Sequence, residues 1–173
     1  MKSAGGFTIL ESLIAIVILI LSVTAAFTAV QSALSNAIFS KQQVAAFFLA
    51  QETIEYLRNV RDTNIINGTN WLNGFAALST DPCYFTKTCT VDTTLASPAA
   101  FTTCSGSCPN VTQDLSGTYL YGQNSLWAAT PYRRTVSIQS ISANEIALTV
   151  SVSWSKGPLS KTLTLRESIF NWQ

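Results

Sequence analysis

The chain has 173 residues, enough for one domain and an anchor, and it is 47% hydrophobic but only 11% charged. Ten Lys and Arg against nine Asp and Glu leave a net charge of +1, so the basic excess that draws a protein to a phosphate backbone is missing and no nucleic-acid partner is expected. Histidine, the commonest general base and a frequent metal ligand, is absent, and no G-x-S-x-G elbow, phosphate loop or dinucleotide fingerprint occurs. Neither an enzyme nor a cofactor or metal is therefore expected, and Asp81, Asp92 and Asp114 are too scattered to make a calcium loop.

The chain opens on the short segment MKSAGG, with one cation, Lys2, and continues as FTILESLIAIVILILSVTAAFTAV. No charged residue falls between Ser12 and Ser40, and Glu11 and Lys41 bracket that gap. These 29 residues make roughly 43 Å of helix, against a hydrocarbon core of about 30 Å. The segment is long enough to span a bilayer, and its excess length predicts that the outer part packs against protein. A general secretory signal places its small residues after the apolar core, whereas Gly5 and Gly6 precede it here. A cut at those glycines leaves the apolar segment on the mature chain as an anchor. Lys2 predicts a cytoplasmic N-terminus, and hence a single-pass protein with its head outside. Glu11 is costly within an apolar helix, so it calls for a partner or a function.

The residues Gly6-Phe7-Thr8-Ile9-Leu10-Glu11, followed by the long apolar run, resemble the prepilin-type cleavage and methylation motif of type IV pilins and type II secretion pseudopilins. The resemblance implies that a prepilin peptidase cuts between Gly6 and Phe7 and N-methylates Phe7. That leaves 167 residues (173 − 6) and, without Lys2, nine cations against nine anions. It also implies that Glu11 meets the new amino terminus of an adjacent subunit, a pairing that sets register more than stability. The partners implied are other pilin subunits packed helix against helix, the peptidase, an inner-membrane assembly platform and the lipid bilayer. The product is an extracellular or periplasmic filament.

Beyond Lys41 the helical pattern continues. Val44, Phe47, Phe48, Gln51, Ile54, Leu57 and Val60 recur at three- and four-residue steps and predict one inward stripe. Nothing breaks the stretch from Phe7 to Ile66, and Gly68 is the expected stop. The prediction is one helix of roughly fifty-five residues, apolar all round and then amphipathic. Major pilins often carry Pro or Gly midway along this helix; here Ser22, Thr24 and Thr28 stand nearby and can bond back to carbonyls. This departure favours a minor pilin or pseudopilin. Residues Gln51–Asp62, Thr130–Trp154 and the ending Phe170-Asn171-Trp172 resemble PilV-like minor pilins. Glu55 and Arg58 stand at supportive helical spacing.

Residues 67–131 are rich in Gly, Pro, Asn and Thr and predict a variable loop region with short strands, held by Cys83, Cys89, Cys104 and Cys108. An even cysteine count in an exported domain favours disulfides, and the C-x5-C and C-x3-C spacings do not suit zinc. Three pairings are possible.

The last third alternates cleanly. Val136 and Ile138, then Ile146, Leu148, Val150, Val152 and Trp154, share one face, and Leu163, Leu165 and Ile169 share another run interrupted by Glu167. Turns are expected at Ser142-Ala143-Asn144 and Lys156-Gly157-Pro158. Arg133 and Arg134 point to opposite faces, and Arg134, in phase with Val136, predicts a structural ion pair with a carboxylate. The fold class is α+β: one long N-terminal helix whose Val44–Val60 part covers a small antiparallel sheet. The expected organisation is a leader at 1–6, a membrane and assembly half-helix at 7–40, an amphipathic half at 41–66, the loop region at 67–131 and the sheet at 132–173. The function expected is a structural minor pilin or pseudopilin subunit. The alternatives are a pilin-like display module binding a surface, sugar or DNA through its loops, and a membrane-anchored extracellular enzyme.

Overall fold

One helix, α1 (Ile9–Ile66), runs for 58 residues in the computed structural model of the chain, which describes residue 6 and residues 8–156 and 159–172. Thr8 opens it: its Oγ1 accepts the Glu11 N–H at 3.2 Å, the donor-satisfying half of a T-x-x-E capping box. Gly68 ends it at φ +68°, with the Gly68 N–H on Ile65 O and the Thr69 N–H on Asn64 O, both at 3.0 Å. That pair of bonds is the Schellman arrangement, and only glycine takes the left-handed position without steric cost. The chain divides into two compact units, Met1–Gln42 and Gln43–Gln173.

In the first unit the α1 side chains from Ile9 to Ile38 are exposed. The hydroxyls of Ser22, Thr24 and Thr28 donate to the carbonyls of Ile18 (2.7 Å), Ile20 (2.8 Å) and Ala25 (2.8 Å), so these three hydroxyls are satisfied within the helix.

In the second unit α1 lies on an antiparallel sheet. Its strands are β1 (Thr88–Val91), β2 (Phe101–Thr103), β3 (Asn110–Gln113), β4 (Tyr121–Gly122), β5 (Ala128–Ser142), β6 (Glu145–Lys156) and β7 (Leu159–Phe170). The path runs β2-β1-β5-β3-β4, and β6 pairs both β5 and β7. β5 is the hub. One edge is paired with β6 from Arg133↔Ser153 to Ser142↔Glu145; the other is shared, with β3 at Asn110↔Arg133 and β1 at Cys89↔Val136. The β5–β6 loop is thus two residues, Ala143 and Asn144, one shorter than expected. The other expected turn includes Gly157 and Pro158, outside the described residues; the strands flanking it pair through to Lys156↔Leu159.

The expected α+β arrangement stands, with two corrections. First, the short strands expected in 67–131 are β1 to β4, but they belong to the same sheet as the last third, and that sheet starts before Tyr132, at Ala128 in β5. The strands there are two to four residues long, too short to show a period; β5 offers its edge to β1 and β3, which in turn carry β2 and β4. Second, the buried stripe of α1 is Ala46, Leu49, Ala50, Thr53, Ile54, Leu57 and Val60. Val44 and Phe48, placed on the stripe by their three- and four-residue recurrence, are 54% and 61% exposed, and Phe47 and Gln51 are exposed as well. The stripe mixes the small Ala46, Ala50 and Thr53 with Leu49, Ile54, Leu57 and Val60.

The alternation of β5 and β6 is as expected: Val136, Ile138, Ile146, Leu148, Val150, Val152 and Trp154 are buried. Leu57 and Val60 of α1 are buried as well, as are Phe75 and Phe101, whose rings lie 5.6 Å apart. The interrupting residue of β7 has a purpose. Glu167 faces inward and pairs with Arg58 of α1, which also holds Glu55 at 2.7 Å.

Candidate functional site

The residues singled out in the sequence fall into two groups. At the start of α1, Gly6 is exposed immediately before the helix; Phe7, the expected site of cleavage and methylation, lies outside the described residues. Glu11 sits in the first turn, exposed, where a negative charge complements the positive end of the helix dipole. It is the only charged residue on α1 before Lys41, and its surroundings are exposed aliphatics: Leu10, Leu13 and Ile14 are all at least half exposed. A carboxylate so placed is available to a cation brought by another molecule, and it is costly in lipid until one arrives. α1 is long and apolar enough to cross a membrane.

The second group lies in the head. Cys83 is bonded to Cys89 and Cys104 to Cys108, so none of the four is a thiolate available to zinc. Both bridges close short loops. The first fastens the segment before β1 to β1 itself, which is buried between β2 and β5. The second closes the connection from β2 to β3.

Arg134 is fully buried at the point on β5 between its β3 and β1 pairings. Its Nη1 donates to Leu49 O at 3.2 Å and to Glu52 Oε2 at 3.4 Å, and its Nη2 donates to Val91 O. Burial pulls the guanidinium below its ordinary pKa, while Glu52 and Asp92 push it back up. The expected structural ion pair with a carboxylate is therefore present, with Glu52 of α1 as the partner. Two main-chain carbonyls share the charge, which makes Arg134 a clamp between α1, β1 and β5. Glu52 is in turn held by the Thr93 hydroxyl at 2.6 Å.

The three aspartates do not converge. Asp81 accepts the Leu78 N–H at 2.8 Å; Asp92 accepts Thr94 N–H at 3.0 Å and Gln123 N–H at 2.9 Å; Asp114 accepts Ser116 N–H at 2.8 Å. Each closes or ties a turn. The Thr118 hydroxyl, with Ser116, holds the Asp114 carboxyl below the usual carboxylate range. Among the described residues no group of three His, Cys, Asp or Glu could hold a metal ion.

Sequence reasoning missed Glu167 as the partner of Arg58, although its break in the parity of β7 was the available signal. It also missed the cap formed by Thr8, whose T-x-x-E pattern was legible at Thr8–Glu11. The chain matches no protein-family model, no curated protein and no solved structure, so the geometry above is what characterises it.

Proposed function

We propose that this chain is a structural minor subunit, pilin or pseudopilin, of a membrane-assembled filament. In this reading a prepilin peptidase removes residues 1–6 on the cytoplasmic side and methylates Phe7. The first half of α1 then anchors the subunit in the bilayer with the head outside. An assembly platform draws it into a filament, where Glu11 receives the amino terminus of a neighbouring subunit. The observation that carries the reading is the division of one continuous helix. Its first half is exposed, apolar and marked by a single carboxylate in the first turn, and its second half is the spine of a sheet-based head.

The test is the mass of the mature N-terminus in purified membranes. The expected result is loss of six residues and one added methyl on Phe7; an uncut Met1, or a cut near Ala25–Ala26, sinks the proposal. Glu11→Ala is expected to be processed normally and yet to stay out of filaments, because the cut needs the sequence around Gly6 while assembly needs the charge. Normal incorporation of that variant into sheared filaments would remove Glu11 from the assembly role.

A further inference from the structure

Of the ten asparagines in the chain, six engage their side-chain amides in bonds within the fold, as Asn70 does with the Leu72 N–H and Asn124 with the Leu126 N–H, both at 2.9 Å. Among the described residues the other four, Asn36, Asn59, Asn67 and Asn73, make no side-chain hydrogen bond. Three of those four line one pocket.

The pocket lies wholly in the second unit and has a volume of about 430 Å³, within the range of small-molecule sites. One wall is α1. Asn59 and Thr63 stand four residues apart on one face, and Asn67 carries that line past the helix end, its N–H on Thr63 O at 3.0 Å. The other walls are Asn73 and Gly74, from the turns after α1, and Ser97 and Pro98 of the β1–β2 connection.

These walls are fastened by other groups. The Tyr56 hydroxyl donates to Leu95 O at 2.8 Å and ties α1 to the β1–β2 connection. The Asn64 amide donates to Trp71 O at 3.2 Å and to Asn73 O at 2.9 Å, tying α1 to the turns that follow it. Gly74, at φ +84°, is required where the two connections meet: a Cβ there would stand 2.7 Å from Ser97 Oγ. The Thr63 and Ser97 hydroxyls, like the three amides, make no hydrogen bond among the described residues. The pocket is therefore held open by its frame while five polar side chains in it stay uncommitted.

Their chemistry selects the ligand. No charged side chain lines the pocket, so nothing in it neutralises an ion. A side-chain amide both donates and accepts, and so does a hydroxyl; five such groups match a ligand whose own closely spaced groups do both. Tyr56, Val60 and Pro98 add apolar surface beside them. A peptide would ask instead for a strand edge or for apolar side-chain pockets, and this lining offers neither. We propose that the pocket binds a neutral sugar unit of an uncharged glycan, with Asn59, Asn67 and Asn73 holding its hydroxyls. The inference stands on the head alone and goes beyond the filament reading; it holds whether or not the chain is cut after Gly6.

The test is saturation-transfer NMR on the full chain, in a detergent without a sugar headgroup. Lactose, cellobiose, maltose and chitobiose are the neutral probes and sialyllactose is the acidic one. At least one neutral disaccharide is expected to receive saturation, and sialyllactose no more than lactose. Asn59→Ala and Asn73→Ala are each expected to weaken the bound probe about fivefold, the effect of one lost hydrogen bond. The chain carrying Asn59→Ala, Asn67→Ala and Asn73→Ala together should lose it. Asn36→Ala, which removes the unbonded asparagine that does not line the pocket, should leave binding unchanged. Because the three amides hold nothing in the fold, the triple variant should unfold thermally at the temperature of the parent chain; a lowered midpoint would give them a structural role and overturn the proposal. Silence from every neutral probe, a stronger response to sialyllactose, or binding retained by the triple variant would overturn it as well.

Discussion

Between Ile9 and Ile38 every side chain of α1 is exposed, and nearly half are large aliphatics; between Ala46 and Val60 the buried positions include two alanines and a threonine. Among the described residues, much of the hydrophobic bulk of α1 is therefore left exposed. In the head the helix is buried along the line that faces the sheet, whatever the size of the residues on that line, and Phe47 and Phe48 are left outside. Thr53 shows the rule at its limit: fully buried, it hands its hydroxyl proton to Leu49 O at 2.9 Å and so costs little. Phase against the covering surface decides burial, and bulk outside that phase marks a surface that something else must cover.

The contrast can be broken most forcefully at Arg134. Arg134→Ala leaves Glu52 and the carbonyls of Leu49 and Val91 without their donor, and is expected to cost roughly 3–5 kcal/mol, read by urea unfolding of the detergent-solubilised chain through tryptophan fluorescence. A cost below 1 kcal/mol would mean that water replaces the guanidinium, and that the clamp is not structural. Next comes a matched pair on one helix. Leu57→Ala is expected to cost roughly 2–5 kcal/mol, while Phe48→Ala should stay within about 0.5 kcal/mol in the isolated chain; equal losses would erase the distinction between the two faces.

The anchor half is probed by Leu19→Arg, expected to oppose membrane insertion by about 2.5–3.5 kcal/mol. The measure is the fraction of chain retained in carbonate-washed membranes, and an unchanged fraction would argue that this segment does not sit at the bilayer centre. The smallest effect sharpens the helix end. Gly68→Ala forces a side chain into a left-handed position and is expected to cost about 1 kcal/mol, with no effect on membrane retention.

Much of this was legible in the residues. The unbroken run to Ile66 and the glycine at 68 give α1 and its end, and the alternation from Val136 to Trp154 gives β5 and β6. Arg134 announces a partner because a cation in phase with Val136 and Ile138 must be paired. The phase of the α1 stripe was not legible, since Phe47, Phe48 and Val44 outweigh Ala46 and Ala50 on any scale of hydrophobicity while the sheet sees the alanines. Nor were β1 to β4. Runs such as Asn110–Gln113 carry no period of their own, and they become strands only because β5 is fifteen residues long and has edge to spare. At the start of α1 the pattern around Gly6, Phe7 and Glu11 is written in sequence order, and the coordinates add the cap that Thr8 makes for the Glu11 N–H.

The disulfides bear on how the head is made. Each cysteine is joined to the next one along the chain, 83 to 89 and then 104 to 108. Of the three pairings open to four cysteines, this is the one in which neither bridge waits for a residue far downstream. A chain that meets an oxidant from its N-terminal side onward makes both bonds in order, as each partner arrives. The first pair to appear is already the native pair, so thiol–disulfide reshuffling has nothing to correct.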